Sequence, residues 1–151
     1  MMTNEMINVA VYEKGRIDAL DLQARAENMT GTELNAETNI IPSFKKALEV
    51  MNMLDRPIGF VCKSSAGRVV KLIQPYDSTT FTAEPEELPA QWGFKWSTDP
   101  EKALEFVAIS TSPYMINDCC IENGVVYRSL IDNNIFAPSG YSLGWEAVSN
   151  I

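Results

Sequence analysis

The dipeptide Asn123-Gly124 limits what this chain can fold into more than any other feature. Both residue types tolerate positive φ at low cost, and a two-residue link with that freedom is what a tight antiparallel hairpin demands. It lies between Cys119–Glu122 and the β-rich run Val125–Leu130, so the spacing predicts a hairpin there. Past the second strand, Asp132-Asn133-Asn134 reads as a polar loop, Pro138 and Gly140 interrupt regular structure, and Trp145 closes the segment beside Val148. A segment this short encloses a small core, which Tyr127 and Trp145 are expected to fill.

An earlier stretch carries the same punctuation. Phe60–Lys63 and Arg68–Ile73 flank Ser64-Ser65-Ala66-Gly67, a second hairpin with a longer turn. Gly67 precedes Val69-Val70 much as Gly124 precedes Val126-Tyr127, and Pro85 stands seven residues before Trp92 as Pro138 does before Trp145. The reading is two related β units, residues 40–96 and 113–151. Turn chemistry, rich in Gly and Pro wherever it occurs, is the alternative source of the match.

Residues 1–39 read as an N-terminal helical segment. Asn4–Met29 contains no proline, and Gly15 leaves room for two short helices or one kinked one. Ile17, Leu20 and Ala24 form a stripe expected to pack on the sheet or on a neighbouring subunit. At Thr30-Gly31-Thr32-Glu33, Gly31 is expected to relieve a left-handed helix end and Thr32 to cap a second short turn. Ile40–Phe44 should be extended because of Pro42, and Lys45–Leu54 should contain a short helical turn. Residues 97–112 read as a linker: Asp99 caps a short helix with Pro100 in its first turn, and Glu105–Ile109 is extended. So short a linker implies that both β units share one packed body. The fold class is therefore mainly β with an N-terminal helical segment, an α+β chain of two small antiparallel β units.

The C-terminal order of parts, an aromatic, an Asn-Gly turn, Val126-Tyr127, a proline loop and a closing Trp145, resembles the small carbohydrate-binding modules of chitinases and related glycoside hydrolases. Over Ser112–Val148 it more closely resembles their relatives in phage and prophage proteins of Gram-positive bacteria. Chitin-binding members commonly follow the Val-x-Tyr strand with paired tryptophans, where this chain has Arg128-Ser129-Leu130-Ile131, and the Asp132-Asn133-Asn134 loop fits the virion branch better. The resemblance implies a non-enzymatic virion protein of the tail, baseplate or fibre, made in the bacterial host cytoplasm. Its partners would be other virion proteins and cell-wall polysaccharide, with a homotrimer as the expected assembly. The alternative is a capsid decoration or connector protein whose modules make protein contacts only. The resemblance also implies that Trp92, like Tyr127 and Trp145, is core.

Sugar binding needs flat aromatic faces beside amide or carboxylate groups, because a pyranose has an apolar face and a hydroxyl rim. Trp96, Phe136 and Tyr141, in or near loops, with Asp132, Asn133 and Asn134 close in sequence, are the candidates for glycan contact. Core packing or a subunit contact is the competing reading of each.

Other chemistries are limited by what the chain lacks. It has no histidine, which excludes Ser-His and Cys-His nucleophile systems. Glycoside hydrolysis needs only two carboxyl groups, but most of the candidates, Glu86, Glu87, Asp99, Glu101, Glu105 and Asp132, sit in turns and helix starts that already account for them, and no enzymatic activity is expected. There is no phosphate loop, dinucleotide fingerprint or calcium loop, so no cofactor is expected. Cys62, Cys119 and Cys120 lack the CxxC spacing of a zinc site and read as small apolar fillers in a reducing compartment. A net charge of −8 repels nucleic acid and anionic membrane, and neither is an expected partner. No apolar run approaches the roughly 20 residues of a membrane span, and no secretory leader is visible.

Overall fold

The structure, a computed structural model, describes residues 16–148. Helix α1 covers residues 16–25, α2 Gly31–Ala36 and α3 Phe44–Val50. A three-stranded antiparallel sheet comes next, β1 (Val61–Lys63), β2 (Val69–Leu72) and β3 (Trp92–Lys95). The second sheet has four strands in the order β4 (Leu104–Glu105), β5 (Cys119–Glu122), β6 (Val125–Ser129) and β7 (Trp145–Ala147). This is the mainly β, α+β class that the sequence predicts. One correction applies: the second sheet is mixed, because β4 runs parallel to β5, with Leu104 opposite Cys120 and Glu105 opposite Ile121. The segment read as a linker thus supplies an edge strand, after Asp99 caps the expected short turn Pro100–Lys102.

Both hairpins form where the turn residues place them. Asn123 and Gly124 take φ of 52° and 78°, leaving Glu122 opposite Val125, the pairing that a turn with two left-handed residues produces. Gly67 takes φ of 85°, and its N–H donates to Ser64 O at 2.8 Å. Each hairpin then acquires a third antiparallel strand that opens on a tryptophan: Trp92 faces Leu72 and Trp145 faces Ser129. Pro85 and Pro138, which precede those strands, are both buried.

Strand alternation divides the first sheet into two faces. Cys62, Val70 and Phe94 lie opposite one another and, with Leu72 and Trp92, pack against Phe44 and Ala47 of α3, Met53 and Tyr76. The other face presents Val61 and Val69 to Leu22, Ala26, Leu34 and Ile41. Helices therefore cover both faces. The sheet contact of α1 is not the stripe predicted from sequence: Ile17 and Leu20 are 56% and 58% exposed and Ala24 is exposed, whereas Leu22 and Ala26, one turn apart, are fully buried. The helix is rotated by a polar anchor. Gln23 docks on the open edge of β1, its Nε2–H donating to Val61 O at 2.6 Å and its Oε1 accepting from Val61 N at 2.9 Å. Lys63 N donates to Pro42 O at 3.0 Å, so this edge is closed to further strand pairing. The helical reading of residues 4–15, with the bend at Gly15, lies outside the described residues.

The start of α2 also differs from expectation. Thr30, not Thr32, is the cap: its hydroxyl accepts from Glu33 N while the Glu33 carboxylate accepts from Thr30 N at 3.0 Å. These bonds hold the Glu33 carboxyl below its usual range. Gly31 is not left-handed and is the first helical residue; it is glycine because the Trp96 backbone passes directly against it. Thr32 instead accepts from Thr98 N at 3.0 Å, tying α2 to the end of β3. The helical turn expected in Lys45–Leu54 is the longer α3, capped by Ser43, with a single turn Met53–Asp55 after it. Ile41 is extended as expected, but Ile40 ends a 3-10 turn.

Candidate contact surface

The C-terminal loops are organised by one buried amide. Asn134 is fully buried and pairs with Tyr114 in an isolated bridge, each N–H donating to the other's carbonyl at 3.0 and 2.7 Å. Its side-chain Nδ2 donates to Ser129 Oγ and to Gly144 O, both at 3.0 Å, and its Oδ1 accepts from Phe136 N at 3.3 Å. Three chain segments, around residues 114, 129–136 and 144, are thereby fixed to one residue, the first through its backbone and the others through its side chain. Asn134 adjoins the glycan candidates Asp132 and Asn133 in sequence, and the structure sets it apart from them by burying it. Asn134 is a strut: both Nδ2 donors are used and Oδ1 holds Phe136 N. Asn134→Ala is expected to cost about 2–3 kcal/mol, since Phe136 N loses its acceptor and a small void opens. Urea denaturation monitored by circular dichroism measures it; a loss below about 1 kcal/mol is the contrary result.

Behind this strut lies an aromatic interior. Trp145 is buried with its Nε1–H donated to Phe136 O at 2.8 Å, and it meets Tyr114 and Phe106 edge-on at 5.4 and 6.2 Å. Tyr127 is half-buried against the same cluster. Trp92 fills the first sheet's core, fully buried. Trp96, predicted as a sugar contact, is half-buried: its ring stacks on Tyr114 at 4.2 Å and 13°, and its indole N–H goes to Ser112 O at 2.9 Å. Trp96 packs against the cores of both sheets and joins them. An indole whose face is covered by Tyr114 is a seam between the sheets and no longer a platform for a sugar at that face.

The remaining candidates are at the surface. Asp132 and Asn133 are exposed; Asp132 accepts from Ile116 N at 3.0 Å and Asn133 is left-handed with φ of 55°. Phe136, 53% exposed, and Tyr141 stand 5.6 Å apart at 72°, and Tyr141 packs down on Gly144, where a Cβ would lie 2.8 Å from its ring. The two rings are thus fixed but do not form one flat platform. Around them Met115, Ile116, Leu130, Ile135 and Leu143 are all exposed, Leu143 by 78%. Sequence reasoning missed these aliphatics, although Ile135-Phe136 and Leu143 in a Pro- and Gly-broken loop were the available signal. The hydrogen bonds of residues 114, 116, 130 and 144 to this loop system place them together. Seven large apolar side chains thus stand exposed on loops that hydrogen bonds hold in place.

The charges nearby are acidic and engaged. Asp118 accepts from Met115 N at 2.8 Å, and burial pushes its carboxyl above the usual range against that bond. Glu122 accepts from Ser139 N and Oγ at 2.8 and 3.1 Å, holding the 137–141 turn. Of the carboxylates weighed for catalysis, Glu86 pairs with Arg68 at 3.2 Å and Asp99 caps a turn. All three cysteines are buried and free, and burial pushes the Cys120 thiol up to about 12, which leaves it protonated and inert at neutral pH. Among the described residues no cluster of His, Cys, Asp or Glu could hold a metal, and no helix is long and apolar enough to cross a membrane. Comparison with protein-family models, curated proteins and solved structures finds no match to this chain.

Proposed function

We propose that this chain is a non-enzymatic phage or prophage virion protein in which the C-terminal loops serve as a docking surface for another virion protein. The observation that carries the reading is the group of exposed aliphatic and aromatic side chains, Met115, Ile116, Leu130, Ile135, Phe136, Tyr141 and Leu143, on loops locked from beneath by Asn134. Aliphatic side chains suit a protein partner better than a sugar, whose hydroxyl rim calls for amides and carboxylates. Pre-organisation supports the same reading, because loops already held by hydrogen bonds lose little freedom on binding. The virion setting rests on the sequence resemblance, and net charge argues against nucleic acid and anionic membrane as partners.

A second reading keeps host cell-wall glycan as the ligand. What favours it is the exposed Phe136–Tyr141 pair with Asp132 and Asn133 in the adjoining loop. One experiment separates the two. The chain carrying Phe136→Asp and Leu143→Asp is expected to lose co-sedimentation with purified particles by about tenfold or more, with its circular dichroism spectrum unchanged. Wild-type chain that ignores particles but binds a glycan array, with binding abolished by Tyr141→Ala, would transfer the function to the second reading.

A further inference from the structure

A groove of about 760 Å³ separates α1 from the turn at residues 56–60, remote in sequence from the C-terminal loops. We propose that it binds an amphiphilic anion, a molecule with one carboxylate or phosphate group on an apolar body. The volume lies in the range of small-molecule sites. Its apolar wall comes from Leu20 on α1 and from Pro57, Ile58 and Phe60 opposite, with Ile58 73% exposed.

The charges of the groove run against those of the chain. The protein carries −8 overall, yet among the described residues that line this groove Arg56 and Lys71 stand with one acid, Glu27. Neither Arg56 nor Lys71 has a carboxylate partner in the ion pairs of the described residues. Arg56 is nevertheless held in place: its Nη2 donates to Ala47 O at 2.9 Å and its guanidinium lies 4.3 Å over the Phe60 ring, while Nε–H is buried without an acceptor. Desolvation lowers its pKa, so the surrounding protein groups stabilise the cation poorly.

Lys71 reaches the groove past Gly59. That glycine is called for by its φ of +94°, and the Lys71 side chain runs beside it, its Cε at an ordinary contact distance of 3.7 Å from where a Cβ would lie. Lys95 stands on the same sheet face, and its ammonium is destabilised by burial and then by the charge of Lys71. An anion at the groove would supply the counter-charge that Arg56 and Lys71 lack among the described residues, while its apolar body would cover Leu20 and Ile58. Charge and apolar wall together define the ligand, since a neutral apolar molecule leaves the cations unmatched and a purely polar anion leaves the wall wet.

Titration of the full-length chain by amide NMR with octanoate, octyl phosphate, octanol and octylamine tests this. Expected are shifts confined to residues 19–24 and 58–60 with octanoate or octyl phosphate, the comparison of these two deciding the head group, and an affinity for octanol weaker by about tenfold or more. Lys71→Met should erase the preference for the anion, and Ile58→Asp, at an exposed position that folding does not need, should abolish binding of all four. Equal binding of octanol and octanoate, shifts located elsewhere, or no binding by any probe would each overturn the proposal. So would binding that begins only when residues 1–15 are deleted, which would assign the groove to the chain's own N-terminal segment.

Discussion

Trp92→Ala should be among the most destabilising substitutions in this protein, costing about 3–5 kcal/mol and lowering the melting temperature by roughly 10 °C. The indole is fully buried, meets Phe44 and Tyr76 edge-on at 5.9 and 6.2 Å, and donates its N–H to Tyr76 Oη at 3.1 Å. Its removal opens a cavity between α3 and the sheet and leaves a buried phenol without its donor. Trp92→Phe keeps most of the volume and loses mainly the hydrogen bond, so about 1–2 kcal/mol is expected of it. Urea unfolding of the two variants side by side checks both numbers. Similar losses for Phe and Ala would mean that the hydrogen bond, not the packing, is what this residue contributes.

Gly31→Ala is the second large effect, and its sign is the informative part. Glycine to alanine inside a helix ordinarily stabilises by about 0.5–1 kcal/mol, through the entropy of the unfolded chain. Here a Cβ would overlap the carbonyl oxygen of Trp96, with the Trp96 nitrogen and carbonyl carbon at 3.1 and 3.2 Å. The obstacle is backbone, which cannot swing aside as a side chain can. The same seam is fastened by Asn35 Nδ2, which donates to Lys95 O at 2.9 Å, and by Thr32 with Thr98. Pushing it apart strains the placement of Trp96, whose ring joins the cores of the two sheets. A loss of about 3 kcal/mol is expected. A more stable Gly31→Ala protein would show that α2 can slide off β3 without consequence.

The turns were legible in the sequence because their chemistry is local. Asn123-Gly124 needs no distant partner to adopt two left-handed residues, and Asp99-Pro100 starts its turn by a bond to Glu101 N only two residues away. Hidden features depended on groups far apart in the chain. The stripe Ile17, Leu20, Ala24 is a sound helical period, but Gln23 binds the edge of β1 thirty-eight residues on, and that contact turns Leu22 and Ala26 inward. Gly31 read as a helix terminator because glycine usually answers to its own φ; here it answers to the backbone of Trp96. Asn134 looked like its polar neighbours, and only the convergence of Tyr114, Ser129 and Gly144 makes it a buried strut.

By itself the sequence determined the two hairpins and the turns that flank them: alternating apolar runs, turn residues at their junctions, and closing tryptophans that the hydrophobic effect drives inside. The meeting of those elements was decided by the tertiary structure. It set β4 parallel on β5, put Trp96 between two cores, fixed the loops that carry the exposed aliphatic residues, and brought Arg56 and Lys71, with no carboxylate partner among the described residues, beside an apolar groove. The physical reason is range. Dihedral preference and capping act over a few residues, whereas packing, backbone contact and charge balance act between any groups that the fold brings within reach.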